Sequence, residues 1–215
     1  MKLDKAALDR AMTLYAVTDR AWLGESTLVQ AVEKALRGGA TFIQLREKEL
    51  DHETFLKEAR EIRDLCAAWK VPFVINDAVD IALACDADGV HVGQSDMAAA
   101  RARELLGPDK IIGVSAHTVE EALEAKRQGA DYLGVGTMFP TTTKLDAEAV
   151  SFDTLRDICR QSQLPVVAIG GINAGNVHKL RGTGAGGVAV VSAIFAAPDI
   201  EEAARRLRAL AEEIR

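Results

Sequence analysis

Residues 165–173 read Pro165-Val166-Val167-Ala168-Ile169-Gly170-Gly171-Ile172-Asn173. Four apolar residues in a row, three of them β-branched, lack the polar alternation of a half-exposed strand. Such a run suits a strand buried on both faces, as in a parallel sheet. Phe73-Val74-Ile75 is a second example, and comparable runs recur along the chain. The candidate strands are Thr13–Thr18, Thr41–Glu47, Pro72–Asn76, Asp88–Val92, Lys110–Ser115, Asp131–Gly136, Pro165–Ile169 and Gly187–Ser192. The stretches between them have a period near 3.6. Phe55, Ala59, Ile62, Cys66 and Trp69 share one helical face, and so do Ile200, Ala203, Ala204, Leu207, Ala211 and Ile214. Gly38-Gly39 and Gly129 stand where C-terminal glycines end helices.

Successive strand starts lie 28, 31, 16, 22, 21, 34 and 22 residues apart. Eight strand–helix units with no Gly/Ser/Pro-rich linker predict a single α/β domain over residues 1–215, a closed (β/α)8 TIM barrel. The segment before Thr13 reads as a short N-terminal helix plugging one end. A doubly wound open sheet is the competing arrangement.

Composition narrows the function classes. A chain of 215 residues can bury on the order of 70% of its unfolded surface, so it needs no disulfide or metal staple. Lys+Arg 26 against Asp+Glu 32 gives 26 − 32 = −6, which argues against a basic nucleic-acid-binding face. The longest nearly apolar run, Val188 to Ala197, has ten residues with a serine inside it. A bilayer span needs about 18–20, and the first residues carry no signal-peptide h-region. Cys66, Cys85 and Cys159 have no short spacing and read as thiols of a reducing compartment, the cytoplasm.

A barrel of this kind places its functional groups at the C-terminal ends of the strands. In Gln44-Leu45-Arg46-Glu47-Lys48, alternation sends Gln44, Arg46 and Lys48 to one side. A guanidinium and an ammonium together suit phosphate or diphosphate; the bland alternative is ion pairing with Glu47 or Glu49. Asp77, after Asn76, and Asp96 follow the third and fourth strands and suit a hard cation such as Mg2+ shared with substrate phosphate. Helix N-capping by both aspartates is the bland alternative. Phe139-Pro140-Thr141-Thr142-Thr143-Lys144 lies in the longest connection, as an anion clamp or a polar loop. Gly170-Gly171 and Val191-Ser192 follow the last two strands, where this fold often binds phosphate through backbone N–H groups. His52 and His178 read as surface residues in helices; His91 and His117, near the mouth, read as packing or hydrogen-bonding groups. Trp22 and Trp69 read as packing residues.

These motifs in this order resemble the thiamine-phosphate synthase family, from about Leu14 to Phe195. The resemblance is carried by Gln44-Leu45-Arg46-Glu47-Lys48, Asn76-Asp77, His91-Val92-Gly93-Gln94-Ser95-Asp96, Gly113-Val114-Ser115, Pro140 to Lys144, Gly170-Gly171-Ile172 and Val191-Ser192. It implies a (β/α)8 barrel that joins a hydroxymethylpyrimidine diphosphate to a hydroxyethylthiazole phosphate with Mg2+. By position, the pyrimidine diphosphate would meet Gln44, Arg46, Lys48, Asn76, Ser115 and Lys144. Mg2+ would sit on Asp77 and Asp96, and the thiazole phosphate would meet Thr141, Thr143, Gly171, Val191 and Ser192. Arg46, Lys48, Ser115 and Lys144 would be the catalytic set. Gly136-Thr137-Met138 departs from the family, which usually carries a Gly-Pro pair there. A thiazole tautomerase using His117, or a non-catalytic barrel that senses a phosphorylated metabolite, are the alternatives. The partners expected are small molecules, with neither nucleic acid nor membrane, and self-association is left open.

Overall fold

The computed structural model describes residues 3–93, 98–141 and 149–215. Strands β1 (Leu14–Val17), β2 (Phe42–Leu45), β3 (Phe73–Asn76), β4 (Gly89–Val92), β5 (Ile111–Ala116), β6 (Tyr132–Val135), β7 (Val166–Ile169) and β8 (Gly187–Val190) pair in parallel in sequence order. β8 returns to β1 through Leu14–Val188 and Ala16–Val190, closing the barrel. The polar residues bounding the expected runs fall mostly in the connections, so the strands are shorter by one or two residues at several ends.

The unbroken apolar runs have a direct cause. In β1, Leu14 and Ala16 pack outward against the helices, while Tyr15 and Val17 pack into the barrel. In β7, Val166 and Ala168 face outward and Val167 and Ile169 inward. Both faces are covered over most of each strand, the inner one meeting the cavity only toward the strand ends, so neither tolerates the polar half of an alternating pattern. The outer layer comprises α2 (Leu28–Arg37), α3 (His52–Trp69), α4 (Val79–Ala84), α5 (Ala99–Leu106), α6 (Val119–Arg127), α7 (Phe152–Ser162), a 3-10 turn (Val177–Leu180), a short α8 (Ser192–Phe195) and α9 (Ile200–Glu212). Caps fix several starts: Thr27 with Gln30 forms a capping box, and Asp51, Thr118, Ser151 and Asp199 accept backbone N–H groups. The expected N-terminal helix is α1 (Lys5–Ala11), whose Leu8, with Met12 just after it, packs against the barrel interior.

The interior is held by three aromatic rings. Tyr15 stacks tilted on Phe42 with centroids 4.4 Å apart, and Tyr132 lies 5.8 Å from Phe42 and 6.0 Å from Tyr15. Gly113 makes room for them: a Cβ there would lie 2.1 Å from Tyr132 Cζ.

Two expectations fail. Trp22 is 40% and Trp69 43% exposed, so neither is a core residue. Phe55, Ala59, Ile62 and Cys66 do form the buried stripe of α3, but the chain turns back at left-handed Lys70. Trp69 is left exposed on the final turn of the helix. His52 and His178 are exposed as expected, with His178 in the 3-10 turn.

Candidate active site

The C-terminal end of β2 supplies the first wall. Gln44 is buried and points inward, and the alternation continues past the strand so that Arg46 and Lys48 line the same cavity. Glu47 points the other way. It receives Arg20 Nε at 2.8 Å and the backbone N–H groups of Lys48 and Glu49, each at 2.7 Å. Burial alone would raise its carboxyl pKa, but these donors outweigh burial and hold it below the ordinary 4.5. Glu58, bridged to the same Arg20, is pushed up by burial despite the guanidinium. Glu47 is thus occupied elsewhere. Arg46 instead faces Asp19 at 3.6 Å and Lys48 meets Asp77 at 2.7 Å.

Beyond β3, Asp77 adopts a left-handed backbone, φ 61°. That conformation is costly for a residue with a side chain and concentrates at functional sites. The capping alternative fails for Asp77, because Ala78 holds the N-cap of α4 with no side-chain cap. Asp77 Oδ2 accepts from Lys48 and Oδ1 accepts from Asn76 Nδ2 at 2.9 Å. Asp77 presents carboxylate oxygens to the cavity, the donor type a divalent cation takes; among the described residues no group of three or more His, Cys, Asp or Glu side chains that could hold a metal ion occurs. Asp96, the second expected carboxylate, lies outside the described residues.

The floor is a polar network. Gln44 Nε2 donates to Tyr15 Oη at 2.6 Å, and Tyr15 Oη lies 2.7 Å from Tyr132 Oη. His91 Nδ1 lies 3.0 Å from Tyr132 Oη, and His91 Nε2 lies 3.0 Å from Ser115 Oγ. Burial pushes both phenols above their usual range, so they keep their protons.

The opposite wall comes from β6, β7 and β8. Phe139 N–H donates to Gly170 O at 3.0 Å, fastening the loop after β6 to the end of β7. Gly171, at φ 64°, leaves no space for a side chain: a Cβ would lie 2.4 Å from Pro140 O. Thr141 lines the cavity here, as do Val191 and Ser192 where α8 begins. Thr143 and Lys144 lie outside the described residues.

The cavity has a volume of about 270 Å³. Gln44, Arg46, Lys48, Asn76, Asp77, Ser115, Thr141, Gly171, Val191 and Ser192, drawn from six strand ends, all line it. His117, in the bend between β5 and α6, also lines it, with Nδ1 3.1 Å from Glu121 Oε2 in the first turn of α6. Sequence reasoning missed Tyr15, Tyr132, Arg20 and Glu58. Tyrosines inside otherwise apolar strands were the available signal for the first two.

The chain is similar to known proteins of one family. The family described as thiamine monophosphate synthase matches residues 14–194. The "Thiamine-phosphate synthase" of Clostridium acetobutylicum is 53% identical over 192 residues, 89% of this chain and 91% of that protein. The "Thiamine biosynthetic bifunctional enzyme TH1, chloroplastic" of Arabidopsis thaliana is 53% identical over 189 residues, 85% of this chain and 36% of that longer protein. The solved thiamine phosphate pyrophosphorylase from Pyrococcus furiosus superposes with a TM-score of 0.89 at 42% identity, covering 96% of this chain and 98% of the other. The barrel, the order of its strand-end motifs and this degree of identity lead to one assignment: the chain belongs to the thiamine monophosphate synthase family.

Proposed function

We propose that this cavity joins a hydroxymethylpyrimidine diphosphate to a hydroxyethylthiazole phosphate, yielding thiamine phosphate and diphosphate. The family supports the reaction, and one observation supports its assignment to this cavity: a charged rim stands on one side and a glycine-rich rim on the other, above a floor of hydrogen-bonding groups. Arg46, Lys48 and Asp77 form the charged side, suited to a diphosphate. Gly170-Gly171 and Ser192 form the other, suited to a single phosphate.

The C–O bond between the pyrimidine methylene and diphosphate breaks, and its electron pair leaves with diphosphate. The electron-rich ring stabilises the methylene cation until the thiazole nitrogen supplies the pair for the new C–N bond. No protein nucleophile is needed, so catalysis is positioning and stabilisation of the leaving charge. Arg46 and Lys48 do this at the rim, with Lys144 assigned the same task by the resemblance. Asn76 orients Asp77, and Ser115 meets the substrate from the floor. Asp77, with Asp96, would hold Mg2+, which when bound shields the diphosphate charge. The tautomerase alternative leaves the Arg46–Lys48–Asp77 rim without a purpose, since an isomerase has no diphosphate to hold. A cytoplasmic setting belongs to the same proposal, supported by three free thiols, of which Cys66 is pushed up to about 12 by burial.

The test is diphosphate release with both substrates present, with and without Mg2+. Release that needs both substrates and the metal is expected. Binding of either substrate without release would refute the catalytic reading.

A further inference from the structure

The segment between β2 and α3 brings Lys48 to the cavity, and it is wrapped around a carboxylate that does not line the cavity. Glu47 continues the outward face of β2, its side chain only 3% exposed. Its Oε1 accepts the backbone N–H groups of Lys48 and Glu49, each at 2.7 Å, and of Leu50 at 3.3 Å. Three successive N–H groups converging on one oxygen make an anion nest, and here the chain fills the nest with its own side chain. The other oxygen, Oε2, receives Arg20 Nε at 2.8 Å, and Arg20 Nη2 donates onward to Glu58 of α3. The carboxylate is thus anchored from the 3-10 turn Arg20–Trp22, after β1, which is tied in turn to the helix that follows the segment.

Arg46 is held separately. Its N–H donates to the buried Thr18 Oγ1 at 3.0 Å, and Thr18 N–H donates to Gln44 O at 2.9 Å, so β1 sets the backbone there. Past Arg46 the strand pairing of β2 has ended. Lys48 and Glu49 are exposed, so packing does little to hold them, and the nest around Glu47 takes over. We propose that Glu47 is a positioning residue for Lys48: its carboxylate, anchored by Arg20, sets the backbone of residues 48–50 so that the Lys48 ammonium meets the diphosphate from a fixed direction. The inference rests on the proposed role of Lys48 toward diphosphate. Lysine is a point charge on a long, flexible stem, so a loose backbone at its root spreads the ammonium over many positions. A charge placed before the substrate arrives costs no reorganisation as the leaving charge develops.

The sign of one substitution separates positioning from simple electrostatics. Glu47→Gln keeps the side chain's size and removes a negative charge, which by Coulomb's law alone would tighten the binding of a nearby anion. Positioning predicts weaker binding. Calorimetric titration of the intact protein with inorganic diphosphate in Mg2+ buffer reads this without turnover. Affinity is expected to fall about fivefold in Glu47→Gln and to be unmoved by the same substitution in a Lys48→Ala background, because Glu47 acts through Lys48. Tighter binding, unchanged affinity, or an equal loss in both backgrounds overturns the inference. Arg20→Met keeps the stem of a partly exposed residue and removes the anchor, so it remains informative where Glu47→Gln fails to fold. It should weaken diphosphate binding in the same Lys48-dependent way, and failure to do so overturns the inference. In turnover, Glu47→Gln should lower kcat/KM for the diphosphate substrate by about tenfold with KM for the thiazole phosphate unchanged; a matching rise in that KM marks a general loss of the site and overturns the positioning role. A wild-type protein that binds diphosphate with this Lys48-dependent pattern, yet releases none from the two substrates, sinks the proposed reaction and leaves the positioning role standing. A wild-type protein that does not bind diphosphate overturns both.

Discussion

Gly113→Ala tests the interior from the packing side. The new Cβ would lie 2.1 Å from Tyr132 Cζ, 2.3 Å from its Oη and 2.4 Å from Cε1. Carbon atoms in contact prefer about 3.5–4.0 Å, so the ring has to move by roughly 1.5 Å. Tyr132 is fully buried, and its hydroxyl is tied to Tyr15 at 2.7 Å and His91 at 3.0 Å. Overpacking of this kind costs about 1–3 kcal/mol, and losing one buried hydrogen bond adds about 1 kcal/mol. A total of about 2–4 kcal/mol corresponds to a fall in Tm of roughly 5–15 °C for a chain of this size. The assay is a thermal melt by circular dichroism or calorimetry, with turnover measured on the same samples. Tyr132→Val destabilises on its own by emptying the core, but in that background Gly113→Ala should cost less than it does in wild type, because the smaller side chain vacates the space the Cβ needs. A Gly113→Ala protein melting within about 1 °C of wild type, or an equal cost in both backgrounds, would refute the tight interior described here.

Three further outcomes are expected. Lys48→Ala removes a half-exposed ion pair, so stability changes by less than about 1 kcal/mol, while kcat/KM for the diphosphate substrate falls by about 100-fold or more; near-normal turnover would sink the role given to Lys48. Asp77→Ala should also lose most of its turnover and raise the Mg2+ concentration needed for the remainder, read from a metal titration of diphosphate release. Glu47 titrates below its ordinary 4.5 in the folded chain, so it contributes stability above that pH and loses it as pH falls through the depressed value. Urea unfolding of Glu47→Gln between pH 6 and pH 3 should therefore show a flatter acid-side decline than wild type, and identical slopes would contradict the donor shell around Glu47.

Local pattern carried most of the fold. The run Val166–Ile169 is apolar because both of its faces are covered, and that condition is written in four adjacent residues. The inward direction of Gln44, Arg46 and Lys48 follows from alternation alone, as does the opposite direction of Glu47. What closure brings together was not legible. Tyr15 and Tyr132 are 117 positions apart, and their hydrogen bond depends on the barrel's diameter and register. The Arg20 bridge to Glu47 and Glu58 joins a turn, a strand end and a helix face, none of which announces the others. The Asp77 capping alternative failed for a backbone reason: its φ of 61° moves the cap one residue on, to Ala78. Trp69 continued an apolar stripe in sequence, but the stripe outlasts the surface it covers.

The α1 helix has a consequence for molecular traffic. Leu8 and Met12 stopper one end of the barrel, and the Tyr15–Phe42–Tyr132 rings fill the space above them. The residues that line the cavity gather at the strand ends, away from this plug. A seven-residue helix thus takes one end of the barrel out of use as a route for substrate.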